Sequence, residues 1–201
     1  VASNFRKSQT LNEYLAAGKT VAIAGIDTRK LTRHLRTHGA QNGAIVGLSS
    51  GESVTQALID KAIAAAQAAP KMAGLDLAKL VSVRETYEWT QTEWKLGSGY
   101  GVQITPKFHV VAYDFGVKKN ILRMLASRGA RITVVPAQTP AADVLKLKPD
   151  GIFLSNGPGD PEPCDYAIAA AAALIDTGIP TFGICLGHQI MALASGAKTF
   201  K

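Results

Sequence analysis

The chain has little cysteine: two residues in 201, Cys164 and Cys185. They lack CxxC spacing and lie among glycines and alanines, so neither a disulfide framework nor a zinc ribbon is indicated, and free thiols in a reducing cytoplasm are expected. Long apolar runs are missing too. The longest candidate, Ala167 to Ile175, falls well short of the roughly 18 residues a membrane span needs, and no signal peptide is recognisable. There is no GxxxxGK[ST] phosphate loop, and Gly97-Ser-Gly-Tyr-Gly101 has neither the GxGxxG spacing nor a strand before it. Acidic residues are outnumbered, 15 against 22 basic, for a net charge of +7. The excess is spread evenly: residues 1–106 carry 12 basic and 8 acidic, residues 107–201 carry 10 and 7. A nucleic-acid-binding arm would concentrate it, so none is expected. What is present is ample apolar material, 47% of residues with a mean hydropathy of +0.10, enough to bury a core. The chain starts at Val1 without methionine and stops at Lys201 shortly after a helix begins, which reads as a piece of a longer protein.

Along the first half, Val21 to Ile26 and Ala44 to Leu48 are short apolar runs suited to strands. Between them Asp27 stands where a helix N-cap belongs, Leu31 and Leu35 share a face, and Gly39 is placed to end the helix. Ser53 to Ala69 reads as an alanine-rich helix stopped by Pro70. Around Tyr87, Trp89 and Trp94 the pattern frays into a glycine-containing link, Gly97 to Lys107, and the domain boundary is expected there: 1–106 before it, 107–201 after it. The second part alternates cleanly. Strands are expected at Phe108 to Tyr113, Arg131 to Pro136, Gly151 to Leu154 and Pro180 to Ile184, with helices at Lys118 to Arg128, Ala141 to Lys146, Cys164 to Asp176 and from Gly187 onward. Such alternation implies an α/β fold, a parallel sheet with helices on both faces, preceded by part of a smaller mixed α/β domain. Ligands of such sheets sit at the carboxyl ends of the strands.

The sharpest chemical signal is Gly183-Ile-Cys185-Leu-Gly187, at the junction of the last strand and its helix. It has the form of a nucleophile elbow with cysteine for serine. A sharp strand-to-helix turn leaves no room for side chains two residues either side of the nucleophile, and it sets the sulfur at a helix N-terminus, where thiolate is favoured. The alternative is a buried structural cysteine. A second signal, Leu154-Ser-Asn-Gly157-Pro-Gly159-Asp160-Pro161, ends the preceding strand. Its glycines and prolines fix a rigid turn with accessible backbone N–H groups, emerging at the same sheet edge as Cys185. A donor from it could join the Leu186 N–H in an oxyanion hole; otherwise it is an ordinary turn.

These two loops, one as Leu154 to Pro161 and the other extended to Phe182-Gly-Ile-Cys-Leu-Gly-His-Gln189, resemble the class I, triad-type glutamine amidotransferases. Ile26-Asp-Thr-Arg-Lys-Leu-Thr-Arg33, Gly39-Ala-Gln-Asn-Gly43 and Val111-Ala-Tyr-Asp-Phe-Gly-Val-Lys-Lys-Asn-Ile-Leu-Arg123 narrow the resemblance to the small subunits of carbamoyl-phosphate synthases, over essentially the whole chain. On that resemblance, Cys185 is the nucleophile that forms a γ-glutamyl thioester from L-glutamine. Gly157 and Leu186 give oxyanion-hole amides, and Gly159 and Gln189 help hold glutamine. The resemblance also implies a large-subunit partner, in a heterodimer or higher assembly, that takes the ammonia. ATP, bicarbonate and metal ions would belong to that partner, with no cofactor, nucleic acid or membrane for this chain. It further implies that residues 1–106 are the C-terminal part of an N-terminal domain with its linker, and residues 107–201 the N-terminal half of the amidotransferase domain.

The departures from the family pattern matter equally. No His-Pro-Glu motif, the family's source of catalytic histidine and glutamate, occurs in the 201 residues, so this stretch alone is expected to be inactive. His188, three residues past Cys185, has no carboxylate placed to orient it and reads as a packing or capping residue. His34 and His38 lie on a basic helix and His109 inside a strand. Arg29, Lys30, Arg33 and Arg36 read as a solvated face, Trp89 and Trp94 as packing residues, and Cys164 as inert. Two other function classes remain: a non-catalytic interaction module of the same fold, and a nucleic-acid binder using the basic helix.

Overall fold

The structure, a computed structural model, describes residues 4–49 and 51–199. The chain forms two compact units, one ending at Lys71 and one beginning at Met72.

The first unit holds three helices, α1 (Leu11–Ala17), α2 (Thr28–His38) and α3 (Gln56–Ala68). Each begins at an oxygen-bearing cap that takes up an N–H the helix cannot satisfy itself. Thr10 and Glu13 form a reciprocal capping box on α1, the Asp27 carboxylate accepts from Lys30 N at 2.9 Å, and Thr55 accepts from Leu58 N at 3.3 Å. Gly39 ends α2 with φ +81°. The runs Val21 to Ile26 and Ala44 to Leu48, expected as strands, are not strands here. A strand is completed by a neighbour's N–H and C=O groups, and no described residue pairs with either run; Ile23 stays 58% exposed.

In the second unit, α4 (Ala78–Val81) leads into β1 (Tyr87–Trp89), then β2 (Gln91–Lys95) and β3 (Gly99–Val102), followed by β4 (Phe108–Asp114), α5 (Lys119–Ser127), β5 (Ala130–Pro136), α6 (Ala141–Lys146), β6 (Gly151–Leu154), α7 (Asp165–Ile175), β7 (Thr181–Gly183) and α8 (Leu186–Ala194). The main sheet has the order β1-β5-β4-β6-β7; β4, β5, β6 and β7 run parallel, and β1 is antiparallel to β5. The fold is α/β as expected. One face of the sheet, with Val111, Tyr113, Val135 and Leu154, packs beneath α6, α7 and α8; the other, with Ala112, Ile132 and Val134, packs on α5. Both rows are apolar because both faces of these strands are covered.

The compact unit begins earlier than the expected start at residue 107. The segment that frays in the sequence is held by the sheet and α5. Glu88 sits opposite Thr133 in the β1–β5 ladder, and Arg123 Nε donates to Gln91 Oε1 at 2.7 Å. The Arg123 guanidinium also lies 4.2 Å from the Tyr100 ring centroid, a cation–π distance. The Gly97 to Lys107 link is partly a hairpin arm, β3 pairing antiparallel with β2. Trp89 packs among the residues over α5, in keeping with a packing role.

Candidate active site

The parallel strands end together, so the loops after β4, β6 and β7 gather at one edge. The chain runs from β4 to β5 on one side and then to β6 on the other, and such a reversal opens a crevice between neighbouring loops. Hydrogen bonds tie these loops to one another. Ser155 Oγ, fully buried after β6, accepts from Phe115 N at 2.9 Å and donates to the Asn156 carbonyl at 2.9 Å. The Asn156 amide reaches across in both directions, accepting from Lys118 N at 3.1 Å and donating to Gly116 O at 2.9 Å. Gly187 N donates to Ser155 O at 3.0 Å, which joins the helix after β7 to the loop after β6.

Cys185 occupies the N-cap position of α8 with φ +53° and ψ −113°, a positive φ that non-glycine residues seldom adopt, and its side chain is exposed. The flanking glycines are required by space. A Cβ on Gly183 would lie 2.6 Å from the Gly187 carbonyl carbon, and one on Gly187 would run into the Leu154 carbonyl oxygen. Overpacking of this kind typically costs about 1–3 kcal/mol where side chains can yield; here the obstacle is backbone, which cannot. The steric reading of the elbow thus holds in its parts.

The other predicted site residues divide. Leu186, buried, is the first residue of α8, where a helix has no internal acceptor for its N–H. Gly157 is brought against it: a Cβ there would lie 2.8 Å from Leu186 Cδ2 and would run into the Phe115 carbonyl oxygen. Gln189 is exposed one turn on, four residues from Cys185 and so on the same helix face, with its N–H bonded to Cys185 O at 3.0 Å. Gly159 turns the other way. At φ +95°, its missing Cβ leaves room for Leu75 O, which would be 2.7 Å away, and its form is explained by that crossing chain.

The four histidines give Cys185 no oriented partner among the described contacts. His188 is exposed. His34 and His38 stack on each other in the first unit at 4.3 Å. His109 alone is linked to a carboxylate, its Nε2 2.8 Å from Thr133 Oγ1, which donates to Glu88 Oε1 at 2.6 Å. That chain sits near the amino end of β4, the edge opposite Cys185. Cys164 is fully buried at the start of α7, and desolvation first, then the neighbouring Asp76, push its thiol up to about 11. What sequence reasoning missed is the framework: Ser155, Asn156 and Asp160, which accepts from Glu162 N at 3.2 Å, lie inside a motif noticed for its glycines and prolines, and Asp114, which accepts from Gly116 N at 2.8 Å and Val117 N at 2.7 Å, lies in one noticed only for its resemblance.

The model of class I glutamine amidotransferases matches residues 111–201, and that of the carbamoyl-phosphate synthase small chain, CPSase domain, matches residues 1–45. A carbamoyl phosphate synthase small chain from Rubrivivax gelatinosus is 70% identical over 99% of this chain and 52% of its own length. That of Ralstonia nicotianae is 66% identical over all of this chain and 51% of its own, and that of Neisseria meningitidis serogroup B is 62% identical over 99% and 51%. The chain therefore spans about half the length of the curated relatives it matches. Two family models on successive parts of one polypeptide, and identity at this level from end to end, mean that the chain belongs to the carbamoyl-phosphate synthase small-chain family.

Proposed function

We propose that this chain is part of an ammonia-supplying, glutamine-hydrolysing subunit of a carbamoyl-phosphate synthase. The observation that supports it best is the elbow: an exposed cysteine at positive φ, on a helix N-terminus, between two glycines that backbone contacts keep small. In this reading the Cys185 sulfur, its proton removed, attacks the carboxamide carbon of L-glutamine. A C–S bond forms, and the carbonyl π electrons move onto oxygen. The resulting oxyanion is met by the Gly157 and Leu186 N–H groups, while Gly159 and Gln189 help hold the substrate. When the oxyanion collapses the C–N bond breaks, the nitrogen leaves as ammonia with an added proton, and a γ-glutamyl thioester remains. Water then cleaves the C–S bond to give glutamate and the free thiol. The proton carrier for these steps is, by family resemblance, a histidine held by a glutamate outside these residues.

Ammonia would pass to a large-subunit partner, where ATP, bicarbonate and metal ions act to make carbamoyl phosphate for arginine and pyrimidine synthesis, in the cytoplasm. By kinship the amidotransferase domain starts near residue 107, and residues 72–106 pack with it. No described helix is long and apolar enough to cross a membrane. The test is glutamine-dependent ammonia release by the full-length protein, with mass mapping of a glutamine analogue that carries an electrophile in place of the carboxamide. Loss of release in Cys185→Ser and labelling at Cys185 are expected; labelling elsewhere, or release that survives the substitution, would overturn the assignment.

A further inference from the structure

The loop that holds Gly157 and Gly159 is fastened from outside by a segment far away in sequence. From Gly74 to Val83 the chain crosses the carboxyl ends of three strands. At its start Gly74 N donates to Asp160 Oδ2 at 2.9 Å, and Leu75 O accepts from Asp160 N at 3.1 Å. At its end Val83 N donates to Asp114 Oδ2 at 2.9 Å, and Ser82 Oγ accepts from Ala137 N at 2.8 Å. In the middle is Asp76, its side chain only 7% exposed. One of its oxygens accepts from Tyr166 OH at 3.2 Å and from Lys79 N at 3.3 Å, with Cys164 Sγ at 3.7 Å; the other lies 3.4 Å from Lys79 Nζ.

Burying carboxylates is costly unless their lone pairs are met by donors. Apolar contacts would hold two loops together more cheaply, but they slide. Directional bonds from Asp160 fix the turn to the strap, and those of Asp76 fix the strap to α7 at Tyr166, while the second Asp76 oxygen is buried with only the Lys79 ammonium nearby. The loop has little slack between its supports. Gly159 has the strap's backbone against it on one side, and Gly157, two residues earlier, has the first turn of α8 against it on the other.

Resting on the amidotransferase reading above, we propose that Gly74 to Val83 is a strap that sets the Gly157–Asp160 turn relative to Cys185, with Asp160 and Asp76 as positioning residues. Neither would touch substrate. Each would act on the donor geometry at Gly157, and a donor displaced from the developing oxyanion loses transition-state stabilisation while ground-state binding is largely kept.

The experiment compares Asp160→Asn and Asp76→Asn with the wild type in the full-length protein. Glutaminase kcat and KM are measured per Cys185 thiol titrated by alkylation, and hydrogen exchange is followed at residues 155–160. The expected result is a kcat per thiol lower by about tenfold or more, since small misplacements at a reacting centre reach about a hundredfold. KM should stay within about threefold, with faster exchange in the turn and unchanged protection in β4 and β6. A merely structural role would lower the melting temperature and the number of titratable thiols and leave kcat per thiol alone. If Asp160→Asn does not fold, Asp76→Asn, whose bonds lie outside the turn, carries the comparison. Unchanged kcat per thiol in the folded variants, or unchanged exchange in the turn, overturns the strap. A wild type without Cys185-dependent turnover overturns the amidotransferase reading, and the exchange measurement still decides the strap.

Discussion

The two cysteines show how position in the fold assigns opposite chemistry to one side chain. Cys164 has no exposed surface, sits beside a carboxylate, and has a thiol pushed up to about 11. At neutral pH that leaves on the order of one molecule in ten thousand as thiolate, so its reactivity is suppressed by both ionisation and access. Cys185 projects from the N-terminus of α8 and is open to solvent. Iodoacetamide at neutral pH, with peptide mapping, should therefore label Cys185 at least about tenfold faster than Cys164 in the native protein. Denaturant should bring the two together. Faster native labelling of Cys164 would count against the elbow. This contrast was legible in the sequence because a nucleophile elbow is a local object: the glycines at 183 and 187 announce a turn that only small residues can make. The reasons the turn is so tight were not legible. They come from Leu154 and from Gly187's own backbone, which a linear reading places in separate elements.

At the scale of elements, legibility follows how locally an element is specified. The β4 to α8 alternation was readable because β4, β5 and β6 are mostly apolar runs with a glycine or proline at or within a few residues of their ends, and α2 was readable from Asp27 and Gly39. Helix α1 carried a readable signal that went unused, the Thr10-x-x-Glu13 capping box. The runs at Val21 to Ile26 and Ala44 to Leu48 failed as strands because a strand's state depends on a partner, which composition cannot supply. Strand β1 and the strap failed in the opposite sense, since their places are fixed by residues tens of positions away. The His109 chain that joins β1, β5 and β4 gives a measurable consequence. The Thr133 hydroxyl has one proton and gives it to Glu88, so His109 Nε2 must be the donor to Thr133. Burial, and next the nearby Arg131, hold the His109 pKa below its ordinary value, with Glu88 and the Leu147 and Lys148 carbonyls opposing. Above about pH 7 the ring is neutral folded and unfolded, and it contributes no pH dependence. Below about 6.5 the unfolded chain takes up a proton that the folded state resists, so stability falls with pH until the folded value is reached. Urea midpoints of the full-length protein between about pH 7.5 and 5 should fall more steeply for the wild type than for His109→Gln. Parallel curves would remove His109 as the cause.

At the scale of the whole molecule, the described residues gather at one sheet edge the loops that the proposed reaction would use, and among them no histidine beside Cys185 is bonded to a carboxylate. In the proposed mechanism the Cys185 thiol, the Gly157 and Leu186 N–H donors and their supporting loops all lie within the described residues. The only histidine in contact with a carboxylate chain there is at the opposite end of the sheet, and His188 beside the elbow is exposed with no carboxylate bonded to it. Strand β7 stands at the end of the sheet order, and Phe182 on it is 63% exposed. A thiolate alone does not complete a turnover: the leaving nitrogen needs a proton and the thioester needs an activated water. Loss of an acid–base group typically removes a factor on the order of 10²–10⁴, and more where it works as a unit with the nucleophile. Ammonia release from glutamine by the purified 201-residue chain should accordingly lie near the background set by its own Cys185→Ser variant, and far below that of the full-length protein. Cysteine-dependent turnover approaching the full-length rate would place a working base inside these residues. His188, three residues past Cys185 on the first turn of α8, would then be the side chain to replace next.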